Sequence, residues 1–425
     1  MMLLLFVSIF VMLIIGVPIA ISLGGASLLW VYVGQRIPDF IVLQRMVGGV
    51  NSFPLLAVPF FILAGNLMNA AGLTTHIFTF ARSIVGWMRG GLGHVNVGAS
   101  IIFAGMSGAA VADAGGLGTI EIKAMKEAGY DVDVSVAITA ASSTIGPIIP
   151  PSLPLVVYGV IAQASIGRLF IAGIVPGLLM GLSLSLLIAY YARKRNYPRD
   201  ARFSIKAMMS SLWSGFPSLL TPVIIIGGIA FGIFTPTEAA VAATAYSLFL
   251  GTVVYRTLSF KKIVQVSLDT LETTAIILFI VAGAAIFAWI LTRLQVPAIF
   301  ASFLLSITDD PIMLLILINL VLFIVGFFME TIAAITILVP VLLPIAMQIG
   351  VDPVHFGIFM ILNLMIGLLT PPVGMVLYVL SRVAKIPFEE CAKATAVFII
   401  PLVVVLFLVT FIPALSLWLP GIFFG

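Results

Sequence analysis

The text TIGPIIPPS at residues 144–152 decides the fold, because a related text, MIGLLTPPV, stands at residues 365–373. A second pair precedes these two, with KEAGYD at residues 126–131 and MQIGVD at residues 347–352. One constant shift along the chain superimposes both pairs without gaps, so each half carries the same Gly-x-x-x-Pro-Pro break. Proline removes a backbone donor and blocks the helical carbonyl ladder, while glycine permits unwound geometry. Each text therefore predicts an interrupted helix.

The match continues outside these four texts. The same ungapped shift pairs Gly105 with Gly326, Ala112 with Ala333, Gly129 with Gly350, Asp131 with Asp352, and Ile145-Gly146 with Ile366-Gly367. A slightly shorter shift aligns FILAG at residues 61–65 with FIVAG at residues 279–283. Chance similarity between apolar texts rich in Gly, Ala and Ile is the alternative, and two matching proline breaks at one offset argue against it. The chain is therefore expected to contain an internal repeat.

The composition places this repeat in a membrane. Of the 425 residues, 62% are hydrophobic and 8% are charged, against about 25% charged in a typical soluble domain. So few charges cannot hydrate the surface of a globule, and the net charge of +4 does not form a basic face, which excludes a soluble protein and a nucleic-acid binder. The single cysteine, Cys391, excludes a disulfide framework and any multi-cysteine metal site. The start, MMLLLFVSIF, lacks a basic n-region and is expected to be a membrane span rather than a cleaved signal peptide.

The basic residues predict the orientation of the chain. The longest polar stretch, residues 193–206, carries six basic residues and is cytoplasmic by the positive-inside rule. Threading outward from it puts 16 of the 20 basic residues on the cytoplasmic side. The four left outside are Arg36, Arg45, Arg168 and Arg293. This threading requires both termini to lie outside and one segment in each half to enter and leave the membrane on the same side.

The repeat and the threading together predict an all-α polytopic membrane protein built from two inverted repeats. The predicted parts are a first repeat at 1–192, with a re-entrant hairpin at about 94–126 and a broken helix at about 134–165; a cytoplasmic basic linker at 193–206; and a second repeat at 207–425, with a hairpin at about 311–350 and a broken helix at about 355–381. Inverted repeats with Gly/Pro-interrupted helices at corresponding positions are typical of secondary transporters, and they predict binding near the bilayer midplane.

The two breaks predict cation sites. Unwinding leaves backbone carbonyls unpaired, and because lipid cannot satisfy them they must face protein, water or an ion. A dehydrated Na⁺ is a hard cation that suits carbonyl and hydroxyl oxygens. Hydroxyls stand near both breaks: Ser107, Ser142, Ser143 and Thr144 in the first half, and Thr331 and Thr370 in the second. We therefore expect two Na⁺ sites; the alternative is a pair of proline kinks resealed by neighbouring Ser and Thr side chains.

Two acidic residues, Asp113 and Glu330, lie in apolar text near the predicted hairpin tips at residues 107–113 and 328–334. A carboxylate at membrane depth costs about 2.5–3.5 kcal/mol on insertion scales, so an acidic residue there is a functional candidate. We expect Glu330 to stabilise the second cation electrostatically. The alternative is that each carboxylate only hydrates a tip that reaches an aqueous cavity.

Motifs for enzymatic chemistry are absent from the sequence. There is no Gly-x-x-x-x-Gly-Lys-Ser/Thr for ATP hydrolysis, no His-Glu-x-x-His and no Gly-x-Ser-x-Gly. A two-aspartate intramembrane protease needs two spans that each carry a buried Asp, and only Asp113 qualifies. His94 and His355 have no partners at metal-ligand spacing, so no transition-metal site is expected. We therefore do not expect an enzyme.

Several motifs resemble one transporter family. They are Ser107-Gly-Ala-Ala-Val-Ala-Asp113, Gly129-Tyr130, the stretch from Ser143 to Ser152, Tyr158-Gly159 and Gly367-Leu-Leu-Thr-Pro-Pro372. These motifs resemble the large membrane subunit, of the DctM and SiaM kind, of TRAP (tripartite ATP-independent periplasmic) transporters, and length and repeat layout match over essentially the whole chain. The resemblance implies a Na⁺-driven importer of the bacterial inner membrane with a scaffold and an elevator-type transport domain.

The resemblance also assigns site residues. The first Na⁺ site would be lined by Ser107, Gly146, Ile149 and Pro151, and the second by Gly326, Gly367, Thr370 and Val373 with Glu330 beside it. The Ser143 hydroxyl is a further candidate for the first cation. The expected substrate contacts are Ser107, Asp113, Ser143 and Asn363. Relatives often carry Ser where this chain has Ala109, so a hydroxyl expected near the substrate is missing.

The expected function is import of an organic acid of the sialic acid or C4-dicarboxylate class, with at least two Na⁺ per substrate and no organic cofactor. The expected partners are a small four-helix membrane subunit and a soluble periplasmic substrate-binding protein. The chain is expected to cross the inner membrane many times, with both termini in the periplasm. The alternatives are a channel-like or purely structural membrane subunit, and re-entrant hairpins at two inverted positions favour the carrier.

Overall fold

The computed structural model describes residues 1–34, 38, 40–200, 203–308 and 310–425, with the side chains of residues 105–107 left out. The regular secondary structure of these residues is helical. They form no β-strand, and Arg89 and Arg199 make one isolated β-bridge. Seven of the described helical segments are long and apolar enough to cross a bilayer, and shorter apolar helices accompany them. The expected all-α membrane protein is confirmed.

The described residues up to the basic linker form eleven α-helices. They are α1 (Met2–Ile14), α2 (Ile19–Gly34), α3 (Phe40–Val50), α4 (Ala57–Ala70), α5 (Leu73–Val85), α6 (Gly91–Ser107), α7 (Ala110–Gly115), α8 (Leu117–Glu127), α9 (Val132–Ser143), α10 (Leu153–Ala162) and α11 (Ile166–Lys194). A short 3₁₀ turn, Phe53–Leu56, leads into α4. The gap between α1 and α2 falls at Gly16-Val17-Pro18, because proline disfavours a helix interior.

After the linker, the part of the chain that the structure describes forms ten further α-helices. They are α12 (Ile205–Ala230), α13 (Pro236–Phe249), α14 (Phe260–Arg293), α15 (Val296–Ile307), α16 (Pro311–Gly326), α17 (Thr331–Gln348), α18 (Pro353–Gly367), α19 (Met375–Ala384), α20 (Phe388–Phe411) and α21 (Ala414–Phe424). A π-helical turn, Leu250–Val254, extends α13. The predicted linker, 193–206, includes the last two residues of α11 and the first two of α12.

Helix boundaries in the two halves follow the shift of the repeat, which carries position 144 onto position 365. The starts of α7 and α17, at Ala110 and Thr331, are related by this shift, and so are those of α9 and α18, at Val132 and Pro353. The starts of α10 and α19, and of α11 and α20, agree with it within one residue. The halves differ at Gly116, which separates α7 from α8, whereas α17 runs without interruption. The opposite orientation of the two halves in the membrane stays a prediction.

The helices pack as two groups. The hairpin bundle, α6–α11 with α16–α21, contains both hairpins and both broken helices. The frame, α1–α5 with α12–α15, is organised by the long helix α14, which packs on α2, α3 and α4. Within the hairpin bundle α10 packs on α17 and α18, while α19 packs on α7 and α9. The second piece of each broken helix thus packs on both the hairpin and the broken helix of the other half. These contacts place the two breaks in one bundle.

The first pieces of the two broken helices form the core of the hairpin bundle. Every residue of α9 from Val134 onward and every residue of α18 from Val354 onward is buried. The amino end of α18 is fixed by Asp352, whose Oδ1 accepts the backbone N–H of Val354 at 2.7 Å. Such a cap satisfies a donor that has no partner inside the helix. Because α9 and α18 are enclosed by protein, polar atoms along these two helices face protein groups, water or bound ions rather than lipid.

Residues predicted to lie on the cytoplasmic side form ion pairs and hydrogen bonds with one another. The Nε atom of Arg82, on α5, lies 2.5 Å from Oδ2 of Asp200 in the linker. Asp131, just before α9, accepts hydrogen bonds of 2.6 Å from the hydroxyl of Tyr197 and from Nη1 of Arg195. The hydroxyl and then the guanidinium lower the pKa of Asp131 below its usual range. These contacts fasten the linker to both α5 and the start of α9.

Two arginines predicted to lie on the other side share one aromatic ring. The guanidinium carbons of Arg45 and Arg293 lie 5.3 and 5.5 Å from the centre of the Trp289 ring. Cations within about 6 Å of an indole face are attracted by its quadrupole, and Trp is enriched at membrane interfaces. A third arginine predicted there, Arg36, lies outside the described residues.

Candidate cation and substrate site

The first break separates α9 from α10 and is buried along its whole length. The nine residues between Ser143 and Leu153 are all buried. Part of the segment keeps a turn, because the N–H groups of Ile148 and Ile149 both donate to the carbonyl of Ile145 at 3.0 Å. The break is therefore an ordered unwound segment inside protein.

Three residues of this break were predicted to line the first cation site, and their carbonyls can be described. Those of Gly146, Ile149 and Pro151 accept no hydrogen bond from any described residue. A buried carbonyl without a partner is costly, so such groups are normally met by water or an ion. Their oxygens are hard ligands of the kind that a dehydrated Na⁺ requires.

The tip of the first hairpin lies against this break. Gly108, between α6 and α7, has a φ of +62°, and a Cβ built on it would lie 2.5 Å from the carbonyl oxygen of Pro151. A Cβ built on Gly146 would collide with Oδ2 of Asp113, which is buried on α7. Glycine at position 108 therefore lets the tip meet the break backbone to backbone, and glycine at position 146 leaves room for the Asp113 carboxylate. The structure brings together Asp113, Gly146 and Pro151.

Hydroxyls around the first break are oriented by their own helix. The Oγ of Ser143 donates to the carbonyl of Ala140 at 2.8 Å, and Oγ1 of Thr144 donates to the carbonyl of Ala141 at 2.6 Å. A hydroxyl whose hydrogen is committed in this way keeps its oxygen lone pairs for a cation. Ser107 is the last residue of α6, beside Gly108, and its predicted contacts lie outside the described side chains.

The second break is built on direct contact between two backbones. A Cβ on Gly367, the last residue of α18, would lie 2.6 Å from the carbonyl carbon and oxygen of Gly326, the last residue of α16. The carbonyls of Gly326, Thr370 and Val373 accept no hydrogen bond within the described ranges, whereas that of Gly367 accepts the N–H of Thr370 at 3.0 Å. The four predicted ligands of the second cation thus include one pair in backbone contact and two neighbours from the following break.

Two hydroxyls serve the second half as well. The Oγ1 of Thr370 donates to the carbonyl of Ile366 at 3.0 Å, the same arrangement as at the first break. The Oγ1 of Thr331, at the start of α17, is buried and has no hydrogen-bond partner among the residues described. Unlike the first break, the second exposes two of its residues, Pro371 and Pro372.

Glu330 has a local role that the sequence did not predict. Its Oε2 accepts the backbone N–H groups of Ile332 and Ala333 at 2.8 and 3.2 Å, so the carboxylate caps the amino end of α17. A carboxylate there also opposes the positive end of the helix dipole. The cap uses only Oε2, and the residue stays at the hairpin tip. The cap therefore does not exclude the predicted electrostatic effect of this carboxylate on the second cation.

Buried amides near both breaks were not predicted as a group. In the first half, Oγ of Ser142 donates to Oδ1 of Asn96 at 2.5 Å, and Nδ2 of Asn96 donates to Oγ1 of Thr139 at 2.8 Å. In the second, Nδ2 of Asn363 donates to the carbonyl oxygen and to Oδ1 of Asn319, at 2.9 and 2.8 Å. The signal available in the sequence was an amide within apolar helical text, which is costly unless hydrogen-bonded.

The position of Asn363 bears on its predicted substrate contact. Its side chain is fully buried, Nδ2 donates both of its hydrogen bonds to Asn319, and Oδ1 has no hydrogen-bond partner in the described part of the chain. An amide oxygen is an acceptor and offers nothing to a substrate carboxylate. The predicted contact of Asn363 with substrate stays a prediction, and the geometry adds a bond to α16 beside it.

Comparison with known proteins agrees with the motifs. Residues 6–415 match the family model described as Tripartite ATP-independent periplasmic transporter, DctM component. The chain is 49% identical to the sialic acid TRAP transporter large permease protein SiaM of Vibrio cholerae, over 96% of each chain. It is 42% identical to the C4-dicarboxylate TRAP transporter large permease protein DctM of Pseudomonas aeruginosa, over 87% of this chain and 86% of the relative.

A solved structure shares the fold. The YdaH transporter of Alcanivorax borkumensis superimposes with a TM-score of 0.65 over 89% of this chain and 87% of its own, at 16% identity. This likeness concerns the fold alone, whereas the family match and the two relatives cover nearly the whole sequence. The resemblance seen in the motifs is thus confirmed, and the chain belongs to the DctM family of TRAP-transporter large permeases.

Proposed function

We propose that this permease imports an organic acid across the bacterial inner membrane, driven by co-transported Na⁺ and working by an elevator movement. One observation carries the proposal. In both halves a hairpin meets a broken helix at backbone distance, and carbonyls of the break have no hydrogen-bond partner among the described residues. A subunit that only anchors or scaffolds a complex has no need of two such breaks, since unwinding a buried helix is costly.

The two breaks supply two Na⁺ sites in this proposal. The first uses the carbonyls of Gly146, Ile149 and Pro151 with the hydroxyls of Ser143 and Ser107. The second uses the carbonyls of Gly326, Gly367 and Val373 with Thr370, and Glu330 lies beside it. Oxygen-only ligand sets of this kind suit a hard cation. Within the described residues no group of three or more His, Cys, Asp or Glu side chains is placed to hold a metal ion, so the proposal involves no transition metal.

The acidic residues at the tips suggest why substrate and cation move together. Asp113 lies against the first break, and Glu330 stands at the second hairpin tip. In a low-dielectric site their charges repel a substrate carboxylate. Bound Na⁺ ions reverse that effect, so we propose that Na⁺ binds first and that Asp113 and Ser143 contact the substrate afterwards. The relatives carry sialic acid or C4-dicarboxylates by name, and this chain is proposed to take an acid of one of these classes.

The packing suggests which helices move. The two halves interlock inside the hairpin bundle through α10 on α17 and α19 on α7, so the bundle is proposed to travel as one body. The frame, centred on α14, is proposed to stay fixed in the bilayer. It contacts the bundle mainly through α5 on α6 and α14 on α17. An elevator of this kind carries both cation sites across the membrane together with the substrate.

Two Na⁺ ions supply enough energy for accumulation. Each charge moving through 100 mV contributes ~2.3 kcal/mol, and a tenfold Na⁺ gradient adds about 1.4 kcal/mol per ion. Two ions therefore supply roughly 7.4 kcal/mol, and moving a monoanion inward takes back ~2.3 kcal/mol. The remainder of about 5 kcal/mol supports more than a thousandfold accumulation. Transport is electrogenic in this scheme.

Family membership supports the proposal of two partners. We propose that a small membrane subunit widens the footing of the frame and that a soluble periplasmic binding protein delivers the substrate. The exposed apolar side chains of the frame include Trp213 and Phe216 on α12 and Leu268 and Leu271 on α14. Both termini are proposed to lie in the periplasm.

The proposal is tested in proteoliposomes that contain this permease, its small subunit and its binding protein. Uptake of N-acetylneuraminate, and separately of succinate, is measured under an inward Na⁺ gradient and under an equal choline gradient. We expect saturable uptake of one acid only in Na⁺, accelerated by an inside-negative potential. Equal uptake in Na⁺ and choline would refute Na⁺ coupling, and uptake that rises linearly with substrate would favour a channel.

A further inference from the structure

Polar bonds near the two breaks occupy equivalent positions. The shift of the repeat carries Ser142 onto Asn363, and each stands four residues before the glycine of its break. Each side chain is fully buried and is bonded to an asparagine on the first helix of the neighbouring hairpin. The same kind of bond therefore joins α6 to α9 and α16 to α18, one helical turn ahead of Gly146 and Gly367.

The hairpin partners are not themselves equivalent. Applying the repeat shift to Asn96 gives position 317, whereas the asparagine used in the second half is Asn319. The residues differ too, since a hydroxyl stands on α9 and an amide stands on α18. The two bonds thus use different residues but join corresponding helices. This is expected if each half requires a hydrogen bond between its hairpin and its broken helix.

The residues of each of these two hydrogen bonds have further hydrogen-bond partners inside the bundle. In the first half the donors run in one direction, from Ser142 to Asn96, from Asn96 to Thr139, and from Thr139 to the carbonyl of Ser135 at 2.9 Å. In the second half Nδ2 of Asn319 donates to the carbonyl of Leu315 at 2.9 Å. Removing one member leaves buried polar atoms without partners, and water has no ready access to replace it.

The two hydrogen bonds act together with the close backbone contacts at the breaks. The contact of Gly326 with Gly367 holds α16 against α18 at one point, and the bond from Asn319 to Asn363 holds the same helices at a second. Two separated points fix both the sliding and the rotation of one helix on another. In the first half Gly108 at Pro151 and Asn96 at Ser142 form the corresponding two points.

We propose that the pairs Asn96–Ser142 and Asn319–Asn363 are positioning residues that hold each hairpin in register with its broken helix, so that the carbonyls of both breaks stay placed for Na⁺. This inference rests on the proposed Na⁺ coupling. None of the four side chains needs to touch the cation. Their effect passes through the backbone, which has to be held within about 0.5 Å of the productive geometry.

The test uses Ser142→Ala and Asn363→Leu in the complete transporter, with Ser247→Ala as the matched control. Ser247 lies on α13 in the frame, is equally buried, and donates only within its own helix, to the carbonyl of Ala243 at 2.7 Å. For each variant we measure the Na⁺ concentration for half-maximal uptake, the maximal rate, and the melting temperature in detergent with and without Na⁺.

We expect Ser142→Ala and Asn363→Leu each to raise the half-saturating Na⁺ concentration about tenfold, which corresponds to the loss of one well-placed hydrogen bond. The melting temperature without Na⁺ should also fall, because buried polar atoms lose their partners, and the stabilisation by added Na⁺ should shrink. Asn96→Ala should be at least as impaired as Ser142→Ala, because it also loses the bond to Thr139. The double variant should be no worse than Asn96→Ala alone, because the bond between Ser142 and Asn96 is lost in both.

Three outcomes distinguish failure of the positioning role from failure of the proposed function. If wild-type uptake needs Na⁺ and both variants keep the wild-type half-saturation, the positioning role is overturned and Na⁺ coupling stands. The same holds if the variants only lower the Na⁺-free melting temperature, as a packing contact would. If wild-type uptake is indifferent to Na⁺, the proposed function itself fails, whatever the variants do.

Discussion

The backbone contact between Gly326 and Gly367 allows one substitution to be worked out in detail. In Gly367→Ala the new Cβ would lie 2.6 Å from the carbonyl carbon and oxygen of Gly326 and 2.7 Å from its Cα, whereas ordinary contact begins at 3.4 Å. All three atoms are backbone, so α16 has to retreat from α18 by about 0.8 Å, the difference between 3.4 and 2.6 Å. A displacement of that size exceeds the tolerance of about 0.5 Å for a preorganised site.

The expected consequence is loss of the second cation site with the fold retained. Misplacing a binding group by about 1 Å costs on the order of 100-fold, so Gly367→Ala should raise the half-saturating Na⁺ concentration between about 10- and 100-fold and bring the Hill coefficient for Na⁺ towards one. The assay is Na⁺-dependent uptake in proteoliposomes. Gly326→Ala should have a smaller effect, because its Cβ comes no closer than 3.4 Å to any neighbour.

The control for Gly367→Ala is Gly227→Ala. Gly227 lies within α12 of the frame and has nothing within 4 Å of an added Cβ. Alanine also has the higher helix propensity, so this change should leave uptake intact. A Gly367→Ala protein that folds, and whose uptake keeps the wild-type Na⁺ dependence and Hill coefficient, would refute the reasoning for the second site.

Three further predictions concern single side chains. Glu330→Gln keeps an acceptor for the cap of α17 but removes the charge, so it should raise the half-saturating Na⁺ concentration while leaving the melting temperature near wild type; unchanged Na⁺ dependence would support the hydration role. Glu330→Ala should also lose about 1 kcal/mol of stability with the cap, read from denaturant melts. Thr370→Val removes a hydroxyl oxygen from the second break and should lower Na⁺ affinity in the uptake assay without changing sidedness or expression. The lowered pKa of Asp131 means that its bonds to Tyr197 and Arg195 stabilise the protein fully above the usual Asp pKa of about 4 and are lost as pH falls through the folded value. Asp131→Asn should therefore reduce the fall of the melting temperature at acid pH. The corresponding change in the free energy of unfolding should be no more than about 1 kcal/mol, because the pair is so exposed. A melting temperature that falls as steeply with pH as in the wild type would contradict this.

The local parts of the fold were predictable because their causes are local. The Gly-x-x-x-Pro-Pro text breaks a helix wherever it stands, and the structure interrupts the chain between Ser143 and Leu153 and between Gly367 and Met375. The gap between α1 and α2 at Gly16-Val17-Pro18 has the same local cause. Neither break depends on what the rest of the chain does, because proline removes its own donor and blocks its own carbonyl ladder.

The pairings across the bundle could not be predicted from the sequence. Ser142 was expected to serve a cation as one of a cluster of hydroxyls, and nothing local says that it meets Asn96, which stands on a separate helix. Glu330 was expected to serve the second cation, and its cap on α17 depends on where that helix begins. The split of the first hairpin at Gly116, with α17 unbroken opposite it, is likewise a tertiary outcome that the repeat alone would not predict.

The ratio of Na⁺ to substrate taken up by the reconstituted complex tests the central claim most directly. Radiolabelled Na⁺ and the radiolabelled acid are followed in the same proteoliposomes at zero potential, in the wild type and in Gly367→Ala. Two carbonyl-lined breaks predict at least two Na⁺ per substrate in the wild type and a lower ratio in the variant. A wild-type ratio of one, or substrate uptake without any Na⁺ entry, would contradict the account.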